Sequence, residues 1–104
     1  MPKFLIKWKI NPKMMPTSPE EWMELLQSMN ERIKALLDSG MIVDWGEYWD
    51  GSGGYAISEG DDVANLYASL MQWWPYVGFD AKPVLTIDQV IKSTNKAASG
   101  MKGK

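Results

Sequence analysis

The feature that most constrains this chain is a hydrophobic period that switches back and forth along its length. Over Lys3–Ile10 the pattern alternates: Phe4, Ile6, Trp8 and Ile10 fall on one face, Leu5, Lys7 and Lys9 on the other. A period of two turns successive side chains to opposite faces of a strand, one of them buried. Asn11-Pro12 and Pro16 then stop it. From Trp22 the spacing becomes three and four. Trp22, Leu25, Leu26, Met29, Ile33, Leu36 and Leu37 make one stripe along a helix. Thr17-Ser18-Pro19-Glu20-Glu21 starts that helix: Ser18 caps it, Pro19 suits the first turn and Glu21 follows three residues on. Gly40 ends it as a left-handed cap.

Period two then returns. Met41–Trp49 and Gly54–Glu59 read as two strands around Asp50-Gly51-Ser52-Gly53, a turn rich in residues that tolerate positive φ. Asp61 and Asp62 open a second helix whose stripe is Val63, Leu66, Tyr67, Leu70, Met71 and Trp74, and Pro75 closes it. After Tyr76-Val77-Gly78-Phe79, Lys82–Ile87 is a last strand. Asp88 caps a short helical turn, Gln89–Ser93. The order predicts an α+β, ferredoxin-like βαββαβ fold: a four-stranded antiparallel sheet with both helices on one face. Nothing in the chain remains to cover the other face. A sheet with aromatic residues on both sides needs a partner, and the simplest is a second copy about a two-fold axis. Trp45, Trp49 and Tyr55 on the hairpin motivate a homodimer through the open sheet face.

At 104 residues the chain makes one domain, placed at residues 1–92. Residues 1–91 hold seven Lys and Arg against thirteen Asp and Glu, and the rest hold four Lys and no acid. An acidic body disfavours a nucleic-acid partner, which requires clustered cations. The segment 93–104 reads as a flexible basic tail. With no Cys there is no disulfide or thiol chemistry, and with no His the commonest metal ligand and proton shuttle are missing. In MPKFLIKWKI lysines break the apolar run, so no signal peptide is expected, and no stretch reaches the ~20 apolar residues of a membrane span. The expected setting is cytoplasmic, with no cofactor, metal or membrane partner.

Three segments together carry a resemblance: KFLIKW, WGEYWDGSGGYAISEGDD and QWWPYVGFDAKPVL. With the order of elements, residues 3–91 resemble the dimeric α+β barrel superfamily, which includes muconolactone-isomerase-like proteins, cofactor-free monooxygenases and stress-responsive barrel proteins. Within it the chain looks most like a small prokaryotic family of unknown function. The resemblance implies two sheets face to face, with ligands bound inside the barrel or between sheet and helices. Members that use histidine for catalysis or haem binding are no guide to a chain without it.

The six tryptophans are the other resource, each a large apolar plate with one N–H donor. Trp22 and Trp74 belong to helix stripes and Trp8 to the apolar face of the first strand, so all three read as core. Trp45, Tyr48, Trp49, Tyr55 and Trp73 are the candidate ligand-binding aromatics, with packing at the core or dimer contact as the plainer role. Lys7 joins them as a cation that neutralises an acidic ligand if its face looks into a barrel. Glu59 and Asp44 are the candidate general bases. A turn pairing Trp49 with Gly54 sets Asp44 opposite Glu59, where like charges raise one pKa. A register one residue longer sets Trp45 opposite Glu59, where desolvation does the same. A slip of one residue inverts the strand, and Gly46 is a candidate bulge. Met14 and Met15 sit in a loop able to gate a cleft or simply to pack. The glycines of the hairpin lack the lysine and spacing of a phosphate loop, and Asp61-Asp62 is a cap rather than a metal site. The leading expectation is therefore an apolar or aromatic small molecule bound in a Trp/Tyr-lined cleft. Alternatives are a cofactor-independent isomerase or monooxygenase with a hairpin carboxylate as base, and a structural protein whose aromatics only make oligomers.

Overall fold

In the computed structural model, which describes residues 3–60 and 62–102, the chain is α+β with a ferredoxin-like topology. Strand β1 spans Lys3–Ile10, helix α1 Pro19–Ser39, strands β2 and β3 Ile42–Glu47 and Gly53–Glu59, helix α2 Val63–Met71, strand β4 Val77–Val84 and helix α3 Ile87–Lys102. The strands form one antiparallel sheet in the order β2-β3-β1-β4, which puts the first strand at its centre. No helix among the described residues is long and apolar enough to cross a membrane.

The helix starts follow the local chemistry. Ser18 Oγ accepts from the Glu21 N–H at 3.4 Å, and Gly40 closes α1 at φ 82°. Asp62 Oδ1 accepts from the Asn65 N–H at 2.8 Å and caps α2; Asp61 lies outside the described residues. Between them α1 and α2 cover the face of β1 that carries Phe4, Ile6 and Trp8. One buried cluster joins Phe4, Ile6 and Ala56 to Leu66 of α2, and a second joins Trp8, Trp73 and Val77 to Met29 of α1.

Four expectations are corrected. The last strand is Val77–Val84, not Lys82–Ile87. Gly78, Asp80 and Pro83 weaken a strand signal, but β4 is an edge with a single ladder, pairing Val77 with Ile10 and Phe79 with Trp8, and an edge tolerates proline. The hairpin adopts neither expected register. Glu47 faces Gly54, Gly46 faces Tyr55, Trp45 faces Ala56 and Asp44 faces Ile57, and the shift falls between Ile42 and Asp44 rather than at Gly46. The turn begins earlier because the Tyr48 N–H closes onto Gly53 O at 2.8 Å, Gly51 takes φ 76°, and Asp50 Oδ1 accepts from both the N–H and the hydroxyl of Ser52.

At the end of α2, Trp74 lies outside (67% exposed), against its reading as stripe core, while Trp73 is buried (8%) beside Val77 of β4, in its plainer packing role. The helix ends at Met71, so the helical period no longer sets which way residues 73 and 74 point. The fourth concerns the C-terminal segment. The expected short turn at Gln89–Ser93 is a helix of 16 residues that runs through most of the segment read as a tail. Thr86 and Gln89 form a reciprocal capping box at its start, Thr86 N–H to Gln89 Oε1 at 2.8 Å and Gln89 N–H to Thr86 Oγ1 at 3.2 Å. Ile87, Val90, Ile91 and Met101 on it are all exposed, and the molecule is 66 Å long and 26 Å across.

Candidate functional site

The sheet has two unlike faces, and the expected site residues divide between them. On the covered face, β3 presents Gly54, Ala56 and Ser58, three small residues in alternation. Strands β1 and β2 flank β3, so their side chains start roughly 10 Å apart, two strand spacings. Over the small β3 residues the indoles of Trp8 and Trp45 meet, stacked with centroids 5.5 Å apart and planes 12° from parallel. Trp8 lies over Gly54: a Cβ there would meet Trp8 Cζ2 at 2.7 Å and collide with the Gly46 carbonyl. Trp8 Nε1 donates to the Tyr55 carbonyl at 3.3 Å, which satisfies its one donor.

Small residues under large ones leave space. A cavity of about 90 Å³ lies between this face and the two helices. Its wall combines the tryptophan pair with Met29, Ile33, Leu70 and Trp73, among other apolar side chains. Most of the α1 stripe is only half-buried. The Arg32 guanidinium lies 5.7 Å from the Trp73 ring centre and covers it from outside. Ser58, on the cavity wall, is the one buried polar side chain among the described residues, and its Oγ has no hydrogen-bond partner among them.

The open face is polar. The Tyr55 hydroxyl donates to Asp44 Oδ2 at 3.2 Å, and that bond, followed by the nearby negative charge, raises the phenol pKa above its usual 10.0. The ring of Tyr55 lies against Gly46, leaving no room there for a Cβ. Lys7 sits on the central strand with Tyr55 as its partner on one side and Asp80 on the other. Lys3 Nζ and Glu59 Oε2 are 3.9 Å apart. The two proposed bases are not opposed: Asp44 pairs with Ile57, and Glu59 with Lys3. At the turn, the hydrogen bonds from Ser52 lower the pKa of Asp50.

The candidates thus occupy three places. Trp45 and Trp73 line the covered cavity. Lys7, Asp44, Tyr55 and Glu59 stand on the open face. Tyr48 and Trp49 project from the hairpin tip, Trp49 98% exposed. Met15 is buried in the loop after β1 and Met14 is exposed. Ser58 escapes a reading by residue type, since a serine in a strand is unremarkable. Its signal is the alternation of Gly54, Ala56 and Ser58 with Tyr55, Ile57 and Glu59, which marks a face with room above it. Among the described residues, no three Asp or Glu side chains gather as a metal site requires.

Comparison with known proteins adds a family. The family model described as a domain of unknown function (DUF3303) matches residues 2–98. No curated protein matches the chain.

Proposed function

The chain belongs to the DUF3303 family, and for this member we propose that the cavity between helices and sheet binds a small apolar or aromatic molecule. One observation carries the reading: a partly open apolar cavity of about 90 Å³ whose wall includes a stacked tryptophan pair. A concave apolar site with few polar groups is the usual form of a small-molecule pocket. The test is a titration with small aromatic compounds, followed by tryptophan fluorescence in a Trp49→Phe, Trp74→Phe background that removes the two most exposed indoles. Saturable quenching abolished by a cavity-filling Ala56→Leu change is the expected result. Unsaturable quenching, or quenching indifferent to Ala56→Leu, refutes it.

A second reading draws on the open face. Tyr55 hydrogen-bonded to Asp44 beside Lys7 is a donor, a carboxylate and a cation on adjacent strands. In a homodimer closed through this face, with Leu5, Ile57 and Tyr55 at the contact, the cluster would be enclosed and able to act as a cofactor-independent isomerase or monooxygenase site. Tyr55 would hold its proton at neutral pH, and Asp44 or Glu59 would serve as base. A monomer by sedimentation at micromolar concentration removes this reading, and activity surviving both Asp44→Asn and Glu59→Gln removes the base.

A further inference from the structure

We propose that Ser58 is the polar anchor of the cavity and that its ligand is a neutral molecule with an apolar, preferably aromatic body and a single hydroxyl or carbonyl group. This rests on the cavity-binding reading above and narrows it. Ser58 lies on β3 between Phe4 of β1 and Ile42 of β2, on the covered face and only 9% exposed. A serine hydroxyl has one donor and two acceptor positions, and here none is used within the described residues. Buried hydroxyls are ordinarily paired, so an orphan on a cavity wall points to a group that enters the cavity.

The rest of the wall sets the charge of that group. Besides Ser58 the polar lining residues are Asn30, Glu47 and Ser69, and no Lys or Arg stands among them. An anion would lose its hydration against an apolar wall with no cation among the lining residues to offset the loss. A cation would find only exposed Glu47, away from the anchor. A neutral hydroxyl or carbonyl fits: it exchanges one hydrogen bond with Ser58 Oγ while its apolar body meets the tryptophan pair.

The experiment compares phenol, toluene and benzoate, which share a ring and differ only in the head group. Binding to the full chain is followed by NMR chemical-shift titration in wild type, Ser58→Ala and Ser58→Thr. In wild type phenol binds about three- to tenfold more tightly than toluene, the worth of one neutral hydrogen bond, and benzoate does not saturate. Ser58→Ala loses the preference for phenol and keeps toluene binding, and Ser58→Thr, which retains a hydroxyl, keeps the preference. Equal affinity for phenol and toluene in wild type, a preference that survives Ser58→Ala, or benzoate binding as tightly as phenol overturns the anchor while leaving the cavity reading intact. If none of the three shifts a cavity resonance, the cavity reading itself fails and this inference with it.

Discussion

Gly54 tests whether the covered face is built as described. Any side chain at this position must displace something: its Cβ would collide with the Gly46 carbonyl, lie 2.7 Å from Trp8 Cζ2 and 2.9 Å from Glu47 Cα. The tryptophan tip can move, but two of the three contacts are backbone of the neighbouring β2 strand. Gly54→Ala therefore has to part β2 from β3 or tilt Trp8 out of its stack on Trp45. Overpacking of this kind costs about 1–3 kcal/mol, and the backbone contacts put the expected loss at the upper end, about 3 kcal/mol. Losing the indole stack adds roughly 0.5–1.5 kcal/mol if Trp8 is the part that yields. Gly78 is the internal control, a strand glycine on β4 where an added Cβ meets nothing within 4 Å. Gly78→Ala is expected within about 0.5 kcal/mol of wild type. Urea unfolding measures both. With m of about 1–1.5 kcal/mol/M for a domain this size, Gly54→Ala moves the midpoint down by about 2 M or more. Near-ultraviolet circular dichroism reports whether the indole pair has come apart. Equal midpoints for the two variants, or a Gly54→Ala midpoint at the wild-type value, would mean that the described packing of Trp8 over β3 is wrong.

Ser58→Ala removes a buried hydroxyl that has no partner among the described residues, so stability should rise by up to about 1 kcal/mol even as phenol selectivity falls; a lowered melting temperature contradicts this. Trp73→Ala should cost about 3–5 kcal/mol and Trp74→Ala under 1 kcal/mol, and comparable losses in denaturant unfolding would reverse the assignment of inside and outside at these neighbours. The Tyr55 phenol titrates above 10.0 because of Asp44, so its difference absorbance between wild type and Tyr55→Phe should shift to lower pH in Asp44→Asn. The folded pKa is the higher one, so this pair's contribution to stability is complete below pH 10 and is lost as pH rises through the folded value. Truncation after residue 92 removes only residues exposed in the folded chain or outside the described residues, and should leave the unfolding free energy from urea titration within about 0.5 kcal/mol of full length.

The boundary between local and tertiary information runs through particular residues. The Ser18 cap, the α1 stripe and the alternation of β1 are decided within a few neighbours, and all were legible. Thr86 and Gln89 were equally local, a capping box concealed by the small polar residues that follow. Trp73 and Trp74 were not legible, because once α2 ends no period says which indole turns inward. The hairpin register was not legible either: five residues, Tyr48–Ser52, separate β2 from β3, and several pairings satisfy the same turn residues.

By itself, then, the sequence determined the βαββαβ order, the face of β1 that goes inward, and the chemistry left to a chain without histidine or cysteine. Each of these depends on periodicity or composition, which a linear chain carries in full. Only the tertiary structure decided that Trp45 joins Trp8 under the helices while Tyr55, Asp44 and Glu59 share the opposite face with Lys7, and that Ser58 is left without a partner among the described residues beside a cavity. Those outcomes turn on a one-residue choice of register, which inverts every side chain of a strand and is set by contacts between segments far apart in the chain.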